Sequence, residues 1–337
     1  MVRFGLISLI CMIAIGCSSD GGVTDSSGSD LLAADEGTDT GGNEDSTPSD
    51  SGVVGPGPIT IEITAVSADH PAFAQLFSKY VNVFGVHIYA TANTPDDKVL
   101  HAAKVMAEYL DNNEDGIADN PDVVQQLADQ DAALMMANTE SEFEQVVGQG
   151  FTGEPPAAGQ LLFGDETHPN GSSSSAGFDA TLEEVLHLIT AHGYARAYPD
   201  VFGEISGSTI ANLMDVARGG HYEESTLDDC ESSGPNANFA TGQCALPPNG
   251  EYPSEAWYSY DDPTCSYGCM ITEYFYWALT SILGAQDYPG RPQDIGHEWK
   301  LYSNELMLTG DPEFTSLLTD PQYKLATQLP DGSYGQP

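Results

Sequence analysis

Thr181-Leu182-Glu183-Glu184-Val185-Leu186-His187-Leu188-Ile189-Thr190-Ala191-His192-Gly193 is the stretch on which the reading of this chain turns. Its apolar residues recur at helical spacing and Gly193 supplies a stop signal, so a helix is predicted over 181–191. Residues i and i+4 share a helix face, so Glu183 and His187 point the same way and can grip one ion. His192 follows His187 by five residues. It reaches that face only if the helix ends near Gly193. The same residues also fit a local role. Thr181-x-x-Glu184 has capping-box spacing, Glu183 suits the positive end of a helix, and His187 would then be a hydrogen-bonded core histidine.

A third ligand has three candidates: Glu273, His192 and His221. Glu273 is the sole charged residue between Asp262 and Asp287, in the run Met270-Ile271-Thr272-Glu273-Tyr274-Phe275-Tyr276-Trp277. A carboxylate in so apolar a setting is costly unless paired or metal-bound, and Arg196 and Arg218 are its candidate ion-pair partners. With Glu183 standing where the first histidine would be, the 181–193 helix resembles the His-Glu-x-x-His helix of zincin metallopeptidases. That resemblance implies a metal, zinc in that family, held by Glu183, His187 and Glu273. It also implies Glu184 as the general base that activates water against a peptide bond. Zinc ligands sit about 2 Å from the ion, so the side chains of His187 and Glu273 must come within about 8 Å of each other. A ferritin-like reading of Glu184-x-x-His187 lacks the partner motif that a four-helix bundle requires.

Outward from this helix the pattern mixes strands and helices. Alternation predicts a strand starting at Ile59-Thr60-Ile61-Glu62-Ile63, and another over Val81–Ala90 after a helix at 71–80. Thr94-Pro95 opens a helix carrying Val99, Leu100, Ala103, Met106, Tyr109 and Leu110. A short helix follows from Asp122 to about Gln130. Leu134-Met135-Met136 and Gln160-Leu161-Leu162-Phe163 read as strands, and Ile271–Leu283 as a very apolar helix. The fold class is α+β: a small mixed sheet with packed helices and a loop-rich C-terminal part. The zincin resemblance implies a zincin-like arrangement of these elements.

Between the first long helix and the next lies Asp111-Asn112-Asn113-Glu114-Asp115-Gly116-Ile117-Ala118-Asp119-Asn120-Pro121-Asp122. It resembles an EF-hand calcium loop. Oxygen ligands fall at Asp111, Asn113, Asp115, Asp119 and Asp122, the turn glycine is Gly116, and Ile117 offers its carbonyl. Asp122 is shorter than the Glu usual at the last position, and Pro121 precedes it. The resemblance implies one structural calcium.

Arg3, the apolar run Phe4–Ile15 and the string Ala14-Ile15-Gly16-Cys17 form an export leader. About a dozen apolar residues are too few to span a bilayer roughly 30 Å thick. Gly16-Cys17 resembles the lipobox of bacterial lipoproteins. This implies a leader over 1–16, lipidation of Cys17 and a lipid-anchored protein at the outer membrane or cell surface. Residues 17–58 form a tether. Positions 18–58 hold nine acids, no Lys or Arg and few large apolar groups, so they cannot bury enough surface to fold. As a flexible coil they span roughly 35 Å. The globular domain is 59–337, in a calcium-loop half (59–175) and a motif-helix half (176–337). Cys230, Cys244, Cys265 and Cys269 read as two disulfides in an exported chain. Short loops favour Cys230–Cys244 and Cys265–Cys269, and the spacing does not suit a four-cysteine zinc site.

Nine Lys+Arg stand against 51 Asp+Glu, a net charge of −42. Such a chain repels nucleic acid and suits a salty medium. No Ser-His-Asp motif, phosphate loop or nucleotide fingerprint appears. Two functions fit. One is a surface-anchored, calcium-binding, zincin-like metallohydrolase of peptide bonds, with calcium and zinc as cofactors and a peptide or protein as substrate. The other is a non-catalytic calcium-binding surface module for adhesion or ligand capture.

Overall fold

The structure is a computed structural model that describes residues 57–67, 73–148, 156, 158–224, 245–262 and 265–336. The leader, Cys17, the tether up to 56, Cys230 and Cys244 lie outside the described residues. Four strands form one mixed sheet: β1 (Lys79–Val83), β2 (Val86–Ala90), β3 (Ala133–Ala137) and β4 (Gly159–Phe163), in the order β1-β2-β3-β4. β1 and β2 are antiparallel, while β2, β3 and β4 run parallel. The α+β class and the small mixed sheet are as expected.

Alternating side chains give the sheet two apolar faces. Val81, Val83, Ile88, Leu134, Met136 and Leu162 join the main core, whereas Tyr89, Met135, Leu161 and Phe163 form a smaller cluster on the other side. Onto the main face pack α1 (Asp96–Leu110) and α4 (Thr181–Ile189). Between them in sequence lie α2 (Pro121–Asp129) and α3 (Glu140–Gly148). The chain then continues through α5 (Ala195–Ala197), α6 (Pro199–Phe202) and α7 (Thr209–Arg218). The apolar helix α8 (Tyr267–Leu283) begins at the N-cap Ser266, whose side chain accepts from the Cys269 amide. Short helices α9 (Arg291–Ile295), α10 (Asn304–Gly310) and α11 (Pro312–Leu318) complete the chain. The expected Cys265–Cys269 disulfide closes the start of α8. Among the described residues no helix is long and apolar enough to cross a membrane.

Several sequence expectations are corrected. Val81–Ala90 is not one strand but the β1–β2 hairpin, turned by Phe84 and Gly85 at φ 51° and 92°. A two-residue turn with positive φ at both positions matches the strand twist, and the apolar Phe84 hides it from a pattern search. The helix expected at 71–80 is reduced to a 3-10 turn at Phe73–Gln75, and β1 claims its last residues. Ile59–Ile63 is not a strand. It runs beside β1 with one antiparallel bridge, Thr64 to Tyr80, and packs its isoleucines on the core. The sequence pattern gives no helix at α3, α6, α7 or α9 to α11, and α8 starts four residues before the expected Ile271.

The motif helix does not stop at Gly193. After Ile189 it widens into a π turn over Thr190–Tyr194 and carries on into α5. A Cβ on Gly193 would lie 2.7 Å from Val123 Cγ1, so glycine is needed here for close approach to α2 rather than for termination.

Candidate metal centre

Gln160 shares the inward face of β4 with Leu162, which aims it at α4. There its side-chain amide donates to Glu184 Oε2. Glu184 is therefore not used as a capping-box residue: α4 has no side-chain cap, and its N-cap is Ala180. One turn along α4, His187 stands between two carboxylates. Its Nδ1 lies 3.9 Å from Glu184 Oε2, and its Nε2 lies 3.7 Å from Glu273 Oε2 on α8. Both separations are too long for hydrogen bonds. His187 Nε2 and Glu273 Oε2 are buried with no hydrogen-bond partner. Burial pushes the His187 imidazole down to about 3, so these are not ion pairs at neutral pH.

Glu183, His187 and Glu273 each bring one ligand atom within 4.8 Å of the other two. Among the described residues no other set of His, Cys, Asp and Glu meets that spacing. His187 and Glu273 satisfy the sequence requirement with room to spare. Neutral imidazole is the ligating form of histidine, and each orphaned polar atom costs about 1–3 kcal/mol unless something binds it. The residues present could hold a metal ion.

The carboxyls are displaced in a way that such an ion would relieve. Burial, then the charges of Glu183 and Glu184, pushes Glu273 well above the usual carboxylate range. Burial, then Glu183 and Glu166, does the same to Glu184, against the Gln160 hydrogen bond. Glu183, partly open to solvent, is raised to about 7 by burial. The Arg291 charge and the Tyr276 hydroxyl offset part of that rise. An added cation reverses these shifts by favouring the ionised forms.

The other candidates fall away from the cluster. His192 is half-buried in the π turn, and its Nδ1 makes no hydrogen bond. His221 is exposed and bonds Asp215 at 2.7 Å and Glu223 at 3.1 Å. Arg218 is buried against the rings of Tyr222 and Tyr252 and donates to the Tyr222 and Ala245 carbonyls rather than to Glu273. Residues 257–260 pack: Tyr258 and Tyr260 are buried, and Trp257 donates to Asp311 at 3.0 Å. Sequence reading missed Gln160, Tyr276 and Arg291. The first two carried a faint signal, a polar residue at the start of an apolar strand and an aromatic three residues after Glu273.

In the 111–122 loop, Asp111 accepts from the amides of Asp115 at 3.1 Å and Gly116 at 2.8 Å, and from the Tyr334 hydroxyl at 2.6 Å. Asn113 accepts from the Asp115 amide, Asp115 from the Ile117 amide and Asp119 from the Asn112 amide. Gly116 takes φ 83°, as the turn position requires. Asp122 lies exposed in the first turn of α2, whose N-cap is Asn120. No three aspartates of this loop meet the 4.8 Å spacing of the buried cluster. The C-terminal segment closes over the loop, with Asn112 accepting from the Thr327 and Gln328 amides and Glu108 from those of Asp331 and Gly332.

Comparison of the chain with protein-family models, with curated proteins and with solved structures finds no match in any of the three.

Proposed function

We propose that this chain is an exported, lipid-anchored, calcium-stabilised metallohydrolase that acts on peptide bonds. The observation that carries this reading is the buried pair of orphaned ligand atoms, His187 Nε2 and Glu273 Oε2, 3.7 Å apart with Glu183 beside them. Glu183, His187 and Glu273 would hold the ion. When bound, that ion would act as a Lewis acid and lower the pKa of a water at the same point. Zinc follows from the zincin resemblance, while two carboxylates and one imidazole also suit iron or manganese.

Glu184 is the base in this reading. It follows Glu183 directly on α4, and the Gln160 side-chain amide steadies its carboxyl. Ionised beside a bound cation, a carboxylate at this position could take a proton from water and return it to the leaving amine. Cys17 would carry the lipid, and the 17–58 tether would hold the domain clear of the outer membrane or cell surface. Asp111, Asn113, Asp115, Ile117, Asp119 and Asp122 would bind calcium from the medium. The second reading, a non-catalytic calcium-binding surface module, is favoured by Glu183 standing where a zincin has histidine.

Glu184→Gln tests the assignment. Peptide hydrolysis should fall about 10²- to 10⁴-fold while elemental analysis finds the same bound metal. Unchanged hydrolysis would refute the base, and a metal-loaded parent protein that hydrolyses no peptide would favour the second reading.

A further inference from the structure

Arg291 opens α9 beside the metal cluster, and its guanidinium is fixed from several sides. Its Nε donates to Gln286 Oε1 at 2.7 Å, and its Nη2 to the Tyr276 hydroxyl at 3.4 Å. It lies over the Phe178 ring at 4.2 Å and near Trp277 at 5.5 Å. Gln286 is itself fully buried and donates to both Tyr276 and Thr280. The Tyr276 ring in turn meets His187 edge-to-face, with centroids 5.5 Å apart. One tyrosine therefore separates the guanidinium from a metal-ligating imidazole.

This cation forms no ion pair among the described residues, in a chain with 51 acids. An arginine placed only to neutralise Glu183, Glu184 and Glu273 would be drawn into a direct contact with one of them. Gln286 and the two rings hold it back instead. A guanidinium has five N–H donors in a fixed fork that matches a carboxylate, and the contacts to Gln286, Tyr276 and Tyr288 use only part of it. Arg291 is only partly buried, as is Glu183.

We infer that Arg291 is an anion subsite beside the metal cluster and seats a carboxylate of the substrate. This rests on the metallohydrolase reading and narrows it to peptides bearing a negative charge next to the cleaved bond. The charge belongs to a free C-terminus or to an acidic side chain.

The test is calorimetric binding to the mature chain carrying Glu184→Gln, which stops turnover, with metal content measured on the same samples. The probes are an N-acetylated dipeptide with a free C-terminal carboxylate, its C-terminal amide, and an amide with Asp in the last position. The acid should bind at least tenfold more tightly than the plain amide. Arg291→Gln should erase that preference without changing metal content or binding of the plain amide, and Arg291→Lys should keep part of it. Tight binding of the Asp amide would support the subsite and assign it to acidic side chains. Equal binding of all three probes, or a preference that survives Arg291→Gln, would overturn the inference. A carboxylate preference in protein that takes up no transition metal would keep the subsite and sink the metallohydrolase reading instead.

Discussion

In the 111–122 loop Asp111 accepts three hydrogen bonds, from two backbone amides and the Tyr334 hydroxyl. In the Glu183–His187–Glu273 cluster, His187 Nε2 and Glu273 Oε2 accept none. Both regions gather potential ligands, yet the loop builds its shape from its own backbone and the C-terminal segment. The cluster brings its atoms together and leaves two of them, His187 Nε2 and Glu273 Oε2, unsatisfied. A polar group satisfied internally stabilises the fold with or without an ion, whereas a buried orphan is a cost until something binds it. The two sites should therefore respond to mutation with opposite signs in metal-free protein.

The largest effect is expected at the loop. Asp111→Ala strands three donors and should lower the unfolding free energy of metal-free protein by roughly 2–4 kcal/mol, read from urea denaturation. An unchanged midpoint would mean that the loop needs its ion to hold its shape. At the cluster, Glu273→Met replaces a buried carboxyl by an apolar chain of similar length. It should stabilise the metal-free protein by about 1–3 kcal/mol, and a loss of stability there would break the contrast.

A smaller effect is expected at Glu166, between β4 and α4. Burial, against the Phe163 amide, raises its carboxyl to about 7. Between the ordinary 4.5 and 7 the folded state keeps a proton that the unfolded chain has released. The stability this group contributes is therefore fully present below 4.5 and lost as pH rises through 7. Glu166→Gln should leave metal-free stability unchanged near pH 4.5 and raise it by about 1–2 kcal/mol at pH 8. A gain of equal size at both pH values would show that the effect is not protonic.

The cluster was legible in sequence because an isolated charge such as Glu273 in an apolar helix needs a partner, and because i, i+4 spacing is a local rule. The long helix α1 and the strands β3 and β4 were legible for the same local reason. The hairpin turn was not, since Phe84 reads as one more apolar residue until its positive φ is seen. Gly193 was misread because a glycine that admits Val123 of another helix looks, in sequence, like a helix stop. Gln160, Tyr276 and Arg291 reach the site through the sheet face, the α8 turn and the start of α9. Their roles exist only once α4, α8 and β4 are packed together.

The cluster's dependence on an ion is tested most directly by elemental analysis of the protein purified without chelator and then supplemented with zinc, iron and manganese. One equivalent of a transition metal in the parent protein and none in Glu273→Met is the expected result. A parent protein that carries calcium alone after that supplementation would contradict it.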